Sequence, residues 1–386
     1  MVVGGVRRTY RRLPEPVRYA LRPLNAVEEL ASFLPGSPRR VLQELVHAYR
    51  GVLAGVRHRG ELALLEGVSS VDGAPLRVAT DLGRDALAYW SELLFAAAPT
   101  RRAVGEVRGL LGFTRVAAPG ADLTLLRLNG AVVRRARAGG RLVVPVWAHA
   151  ALDTRRSLDA IVEGERSGRS SRKNDVRRTA KAGFRPVLAR GAAELRRFFE
   201  EWCHPFIQRR FGAGVILMND DWMRQMTRVC EVMWIECGGA RVGAALLEPR
   251  GRELRNLAFG VRDPALVREG VLSACYWFMI ERAVREGYAA LWLGGSRPVL
   301  SDGVLRHKLK WGGVLRPIRQ WEYVAMSVDP RNATARAILA AHPLVAEDRD
   351  GFVAVAGGDT SAIHGSFGLA RILAAGETGW ASRGAV

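Results

Sequence analysis

Apolar residues recur along the chain at two spacings, and the spacing changes from one segment to the next. In the first half, intervals of three and four residues predict amphipathic helices over Val41–Tyr49 and Asp85–Phe95. Apolar runs bounded by glycine predict strands over Asp122–Asn129 and Arg141–Trp147. The first half of the chain is therefore predicted to be an α/β unit.

The second half shows a longer and more regular series of elements. A polar stretch over Leu158–Lys181 stops at Gly183 and predicts a basic linker helix. The elements predicted after it are a strand Arg185–Leu188, helices Leu195–Phe206 and Asp220–Val229, strands Met233–Cys237, Val242–Glu248 and Leu254–Val261, a long helix Val267–Glu286, a strand Ala289–Leu293, a short helix Gly303–Trp311 and a strand Ile318–Val328. A hairpin turn at Gly238-Gly239 joins the first two strands of the meander.

A length of 386 residues exceeds what one hydrophobic core usually serves and predicts two domains. We expect an N-terminal α/β domain over 1–157, the basic linker helix over 158–184, a C-terminal domain over 185–330 and a C-terminal extension over 331–386. No internal repeat of fixed period is visible in the sequence.

Compartment and redox chemistry follow from what the sequence lacks. No apolar run approaches the ~18 to 20 residues of a membrane span, and the basic N-terminus has no continuous apolar signal region, so we expect a cytoplasmic protein. The cysteines show neither CxxC pairing nor histidine partners at metal-ligand spacing, which predicts free buried thiols and no metal site. These cysteines are Cys203, Cys230, Cys237 and Cys275.

The net charge of +20 favours an anionic partner such as nucleic acid, a nucleotide cofactor or an acidic membrane surface. Almost all of the positive charge is arginine, and the chain has only four lysines, Lys173, Lys181, Lys308 and Lys310. Lysine is a compact point charge on a flexible stem and is not interchangeable with arginine. The two short segments that hold the lysines are therefore the first candidates for function.

Three segments in the second half carry a resemblance to a known family. They are the basic helix SSRKNDVRRTAKAGF, the helix end AVREGY with its following strand AALWLGGS, and the segment DGVLRHKLKWGG. In this order they resemble the FemABX and BioF2-like (CelD-like) branch of the GNAT acyltransferase superfamily. The resemblance implies a GNAT-like mixed sheet flanked by helices, with two GNAT-like domains in tandem, of which the N-terminal one is degenerate.

Two departures from the family pattern bear on function. The phenylalanine that the family places before its motif lysine is His307 here. Enzymes of the superfamily that use acetyl-CoA usually hold its pyrophosphate on a glycine-rich loop before the long helix, whereas this chain has VRDPALVREGVL at that place. The resemblance implies that this absence fits the FemABX-like branch, where several enzymes use aminoacyl-tRNA.

The candidate catalytic residues lie on the meander and on the short helix. The resemblance implies that the acyl donor lies where the strands Val242–Glu248 and Leu254–Val261 splay apart, and Glu248 and Asn256 are the polar residues there. The family pattern selects Lys308, whose ammonium would stabilise an oxyanion or neutralise a phosphate. His307 titrates near neutrality and is the candidate general base.

Binding residues are predicted beside these. Ser296, Arg297 and Asp302 lie in the turn after a strand, where binding groups are common, and Lys310 flanks the motif lysine. The segment 166–185 has a net charge of +7 and is a plausible track for a phosphate backbone. Its candidate contacts are Arg169, Arg172, Lys173, Arg177, Arg178 and Lys181.

The sequence thus indicates an acyltransferase that transfers an acyl or aminoacyl group to a small-molecule or peptide amine by direct attack. Aminoacyl-tRNA is the favoured co-substrate, and no tightly bound cofactor is expected. One alternative is an acetyl-CoA- or acyl-CoA-dependent enzyme acting on a polysaccharide or natural-product amine. The other is a non-catalytic RNA-binding protein on a GNAT-like fold.

Overall fold

The computed structural model describes two units of the chain. The described residues are 49, 51–53, 55–116, 120–164, 169–211, 226, 229–318, 320, 322–329, 331–358, 360, 363, 368–376 and 379–384. We name the units by their place along the chain: the central unit holds the described parts of Trp147–Pro317 and His364–Leu369, and the outer unit holds the described parts of Val2–Val146, Ile318–Ile363 and Ala370–Val386. No helix within the described ranges is both long enough and apolar enough to cross a membrane.

Both units contain strands and helices. The strands are β1 Arg59–Val68, β2 Pro75–Thr80, β3 Thr100–Arg108, β4 Leu123–Asn129, β5 Leu142–Pro145, β6 Ala148–Asp153, β7 Arg185–Ala189, β8 Glu231–Cys237, β9 Ala240–Arg250, β10 Glu253–Val261, β11 Ala290–Ser296, β12 Val314–Leu315, β13 Glu322–Val328, β14 Leu344–Asp348, β15 Gly351–Ala356, β16 Leu369–Gly376 and β17 Gly379–Gly384. The helices are α1 Arg84–Leu94, α2 Val133–Ala138, α3 Leu158–Glu163, α4 Arg169–Lys181, α5 Ala192–Arg197, α6 His204–Phe211, α7 Ala265–Glu269, α8 Val271–Arg285, α9 Gly303–Lys310 and α10 Ala333–Ala341, with a π-helical segment Phe198–Cys203 between α5 and α6.

The central unit is a seven-stranded sheet covered by helices on both faces. Its strand order is β12-β6-β11-β10-β9-β8-β7, and only β10 and β11 pair in parallel. One face packs on the apolar side of α8, which buries Ala274, Cys275 and Met279. The other face packs on the π-helical segment through Phe198 and Trp202. A sheet buried on both faces explains why its central strands are almost wholly apolar.

The outer unit contains a six-stranded sheet and a four-stranded sheet. The order of the first is β3-β1-β2-β4-β13-β5, with β2 and β4 in parallel. The second follows the chain order β14-β15-β16-β17. In each of the two larger sheets, a parallel pair is followed by an antiparallel strand from the other half of the chain. This shared arrangement agrees with the predicted tandem of mixed sheets.

The two halves of the chain exchange one strand each. Strand β6 comes from the first half but pairs with β11 and β12 of the central sheet. Strand β13 comes after the central unit but pairs with β4 and β5 of the outer sheet. The units therefore differ from the predicted boundaries at residues 157 and 330. The predicted strand Ile318–Val328 corresponds to β13 and belongs to the six-stranded sheet of the outer unit. The sequence did not show this, because local patterning does not reveal which distant strand is the partner.

Several predicted elements are confirmed by the structure. Helix α1, the meander β8–β10, strand β11 and helix α9 match their predicted segments within a few residues. The predicted long helix is interrupted at Gly270, which has a left-handed φ of 101° and separates α7 from α8. The predicted linker forms two helices whose residues Ile161 and Val176 pack into the core beside α8. Helices Val41–Tyr49 and Asp220–Val229 lie almost wholly outside the described residues.

Candidate active site where β10 and β11 diverge

The central sheet opens between its two parallel strands. Strands β10 and β11 pair over only three residues, Glu253–Arg255 against Ala290–Trp292, although both continue well beyond this point. The pairing of β11 with β6 is also interrupted, between Trp292 and Gly295. Backbone groups that would bond across a continuous sheet are thereby left for other partners. The opening is the candidate site, and we call it the β10/β11 gap.

This opening lies one strand away from the predicted one. Strands β9 and β10 pair continuously from Arg250 to Gly243, with one bulge between Asn256 and Ala258, so the predicted splay near Glu248 and Asn256 is wrong. The reason is the connection between the strands. A tight turn at Gly251 joins β9 to β10 and enforces their pairing, whereas α7 and α8 connect β10 to β11 and leave them free to separate.

Lys308 lies beside Gly294 and Gly295 of β11, beyond the point where β11 stops pairing with β10. Its side chain is among the most completely buried in the described chain, and Nζ donates to the carbonyl oxygens of Gly294 and Gly295, both at 2.9 Å. Helix α9 places it there and is capped by Asp302, whose carboxylate accepts the Leu305 N–H at 2.8 Å. These bonds tie α9 to β11 at the end of the interruption in its pairing with β6, so Lys308 holds the shape of the gap.

Burial dominates the acid–base behaviour of Lys308. Removal from water disfavours the ammonium and lowers its pKa from 10.5 to about 7, while the attraction of Asp302 opposes this effect. The predicted role as a phosphate ligand does not fit a side chain that is only 2% exposed and bonded to two carbonyls. Lys308 is at the predicted site, but its contacts are those of a positioning residue.

Two buried polar oxygens flank the gap. Asn256 directly follows the last residue of β10 that pairs with β11, and Ser296 ends β11. Within the described chain, Asn256 Oδ1 and Ser296 Oγ are buried without a hydrogen-bond partner. An unpartnered buried polar atom in a native protein is costly and commonly marks a place where a ligand or water bonds. Both oxygens therefore mark the edges of the gap as places where a bound group or water would gain a hydrogen bond.

Glu248 is not brought together with Asn256. Leu246, two residues before Glu248 on β9, packs on the π-helical side of the sheet, whereas Leu247, paired with Asn256, packs on the α8 side. Side chains two residues apart in a strand share a face. Glu248 and Asn256 thus lie on opposite faces and cannot act on the same atom.

His307 does not fit the predicted role of general base through Nε2. That nitrogen accepts a hydrogen bond from the Trp311 indole at 3.2 Å, and the ring meets Tyr276 edge-on with centroids 4.6 Å apart. An Nε2 that accepts an indole N–H has its lone pair engaged. His307 therefore acts in the packing of α9 against α8.

The other predicted binding residues on this side are mostly engaged within the protein. Lys310 forms an ion pair with Asp175, and its Nζ lies 5.7 Å from the ring centroid of Trp311. Asp302 is the helix cap already described. The guanidinium of Arg297 lies over Trp147, 4.8 Å from the ring centroid.

The structure adds His149, which the sequence did not single out. His149 lies on β6 opposite Gly295, and its ring atoms Cε1 and Nε2 are 3.4 and 3.5 Å from where a Cβ on Gly295 would lie. Burial, followed by the charges of Lys308 and Arg255, lowers its pKa to about 4. No local pattern points to it, because it reaches the gap only through the strand exchange of β6.

The basic segment is more compact than predicted. A groove of about 530 Å³ runs along α4 and is lined by Ser171, Asn174, Asp175, Arg177, Arg178 and Lys181. Arg177 and Lys181 are exposed. Arg178 donates to the carbonyl of Arg268 at 2.5 Å, and its Nη2 is 3.5 Å from the Cβ position of Gly270 at the start of α8.

The remaining predicted phosphate contacts do not form a track. Arg172 is buried, and its guanidinium donates to the carbonyls of Val162 at 3.0 Å, Lys310 at 2.6 Å and Glu163 at 3.3 Å. Lys173 pairs with Glu163 at 2.5 Å. The side chain of Arg169 lies outside the described residues. The described candidates for phosphate contact are thereby reduced to Arg177, Arg178 and Lys181.

No protein-family model and no curated protein matches the chain. Among solved structures, the chain is similar to FemX, with 12% identity over 68% of this chain and 83% of that one and a TM-score of 0.37. It is also similar to L-PGS from Bacillus licheniformis, with 15% identity over 56% and 71% and a TM-score of 0.35. A GCN5-related N-acetyltransferase from Anabaena variabilis is similar with 11% identity over 92% and 85% and a TM-score of 0.33.

At these identities and TM-scores, the protein's own strand order and pairing carry the fold assignment. An antiparallel meander leads through a long helix to a strand that pairs in parallel with β10, in the element order that the resemblance implied, whereas the divergence lies between β10 and β11 and not where it was predicted. The chain has a mixed α/β fold with helices flanking its sheets, the fold class that the resemblance implied.

Proposed function

We propose that this protein is an N-acyltransferase whose acyl donor lies in the β10/β11 gap. The observation that carries the proposal is the gap itself. Lys308 bonds the carbonyls of Gly294 and Gly295 on its β11 side, and the unpartnered oxygens of Asn256 and Ser296 lie at its edges. Backbone N–H groups released from pairing beyond Arg255 are preorganised donors for an acyl carbonyl and for the oxyanion that develops on it.

Direct attack of the amine on the acyl carbonyl is the mechanism that these side chains support. The buried thiols are poor nucleophiles, since burial raises the pKa values of Cys203 and Cys230 to about 12. Ser296 Oγ has no hydrogen-bond partner in the described chain, so no base activates it there. The amine nitrogen then forms the amide bond directly while the bond to the donor oxygen or sulfur breaks.

The donor is proposed to be phosphate-bearing, with its phosphates in the groove lined by Arg177, Arg178 and Lys181. The charge of the whole chain keeps aminoacyl-tRNA as the first candidate. The compactness of this cation group favours a second candidate, an acyl-CoA, whose phosphates occupy a small volume. Both donors carry an activated acyl carbonyl and require the same gap.

The experiment compares the two donors directly. Wild-type protein is incubated with acetyl-CoA or with a mixture of aminoacyl-tRNAs, and hydroxylamine serves as a general amine acceptor whose hydroxamate product is measured. Lys308→Met is expected to lower the rate by about 10²-fold, because the gap loses the residue that shapes it. Arg306→Met is the matched control, since Arg306 is an exposed cation on the same helix.

Each outcome selects a different conclusion. Transfer from acetyl-CoA alone establishes the CoA enzyme, and transfer from aminoacyl-tRNA alone establishes the tRNA enzyme. Salt-sensitive RNA binding without transfer from either donor contradicts the proposal and favours the non-catalytic RNA-binding protein.

A further inference from the structure

His149 lies beside a small cradle at the interruption of β11. A Cβ added to Gly295 would lie 3.3 Å from Trp147 Cβ and 3.4 to 3.5 Å from ring atoms of His149, so the His149 ring borders the face of Gly295 that carries no side chain. The carbonyl of the same Gly295 accepts a hydrogen bond from Lys308. The cradle is therefore part of the segment that Lys308 holds in shape.

The imidazole of His149 has no hydrogen-bond partner among the described residues, although its side chain is only partly exposed. Most histidines in such positions are held by a neighbouring carboxylate or carbonyl. The buried oxygens of Asn256 and Ser296 are likewise unpartnered at the edges of the gap. Within the described part of the chain, His149 is thus an unpartnered imidazole beside the glycine segment of β11 that borders the gap, and its ring nitrogens can bond a substrate group.

We propose that His149 is a catalytic residue that accepts the proton of the attacking amine, with the acceptor seated over Gly295. This inference rests on the proposed function. In the step, the neutral amine nitrogen bonds to the acyl carbon, and one of its protons passes to a ring nitrogen of His149. The acyl bond to the donor oxygen or sulfur then breaks, the leaving atom takes the proton, and His149 returns to its neutral form.

The charges around the cradle keep the imidazole neutral before the step. The positive groups on neighbouring elements are Arg255 on β10, Lys308 on α9, Arg297 after β11 and Arg316 after β12, and the negative ones are Glu253, paired with Arg255, and Asp302 at the start of α9. Burial and the cations of Lys308 and Arg255 hold the pKa of His149 near 4. The proton-accepting form is therefore fully populated above about pH 5, and the role is lost only as the pH falls through about 4.

A low pKa also makes His149 a weak base, which sets the expected size of its contribution. General base catalysis contributes about 10²- to 10⁴-fold, and a weak base belongs at the lower end of this range. We expect His149→Ala and His149→Gln to lower the rate by about 10²-fold, since glutamine can accept a hydrogen bond but cannot carry the proton.

The test uses the full-length protein with hydroxylamine as acceptor and with acetyl-CoA and aminoacyl-tRNA as donors in separate arms. Added imidazole is expected to restore activity to His149→Ala but not to Lys308→Met, a rescue that a merely structural histidine would not show. Donor affinity should be unchanged in both His149 variants. His342→Ala in the outer unit is the matched control and should keep the wild-type rate.

The failures are distinguishable. Two results would overturn this inference and leave the proposed function standing. One is full activity of folded His149→Ala. The other is an inactive His149→Ala that imidazole does not rescue, together with a full rate in His149→Gln. Absence of transfer by the wild-type protein from either donor overturns the proposed function and this inference with it.

Discussion

Replacing Lys308 by methionine tests the buried ammonium through the pH dependence of stability. Its pKa is about 7 in the folded protein and 10.5 as its ordinary value. Between these values the unfolded chain binds the proton more tightly than the folded chain, so the free energy of unfolding rises with pH. Below about pH 7 both states are protonated, and this contribution is constant.

The magnitude follows from one proton per molecule. A difference of one bound proton changes the free energy of unfolding by ~1.4 kcal/mol per pH unit. Because Lys308 is only half deprotonated in the folded protein at pH 7, the slope is below this value in the first pH unit. Between pH 7 and pH 9 Lys308 therefore adds about 2 kcal/mol to the free energy of unfolding. Methionine has a similar length and no proton to lose, so Lys308→Met should lack this increment.

The assay is urea unfolding followed by tryptophan fluorescence at pH 6, 7, 8 and 9. The difference between wild type and Lys308→Met should be constant up to about pH 7 and then grow by about 2 kcal/mol. Arg306→Met should run parallel to the wild type, because its side chain is exposed. Parallel curves for wild type and Lys308→Met would refute the argument and place Lys308 in contact with water.

Three further predictions concern the surrounding charges. In Lys308→Met, the pKa of His149 should rise from about 4, because one of the two nearby cations is gone, but it should stay below its ordinary 6.5, because the imidazole is still buried. A histidine NMR titration that shows no rise would contradict this. Three cations in the groove predict that donor affinity falls only about 20- to 40-fold between 50 and 200 mM salt, and a fall of 10³-fold in a binding titration would require a much wider basic contact. Arg172→Ala should cost about 3 kcal/mol or more in urea unfolding, because three carbonyls lose their donor. The neighbouring Lys173→Ala removes only a half-exposed ion pair with Glu163 and should cost less than ~1 kcal/mol, so equal losses would contradict the assignment of Arg172 to the core.

Local patterns were sufficient for the elements and for the position of Lys308, but not for its role. Alternation and turn glycines give β8–β10, since these strands are neighbours in sequence. The sequence around Lys308 places it on a short helix but does not show that its amine bonds the carbonyls of Gly294 and Gly295 instead of facing a cleft. His149 escaped notice because its partner Gly295 is far along the chain, and no local period encodes that pairing.

The spacing of polar residues in the basic segment distinguishes a buried helix face from an exposed one. Arg172, Asp175 and Thr179 are three and four residues apart, which places them on one face of a helix, and that face is the buried one. Arg177 and Lys181 follow the same spacing on the exposed face. Reading the charge run as a helix, rather than as a sum of charges, separates structural arginines from those available to phosphate.

The exchange of β13 between the halves has a consequence during synthesis. Strand β5 ends at Pro145 and its neighbour β13 begins at Glu322, a separation of 177 residues. At about 5 to 20 residues per second, a ribosome takes roughly 9 to 35 s to make the intervening chain. Throughout that interval the facing edges of β4 and β5 are unpaired, and exposed strand edges are templates for aggregation. During this period a chaperone, or the folded central unit, must keep these edges from pairing with other chains. The yield of native protein therefore depends on how well the edges are protected until β13 is made.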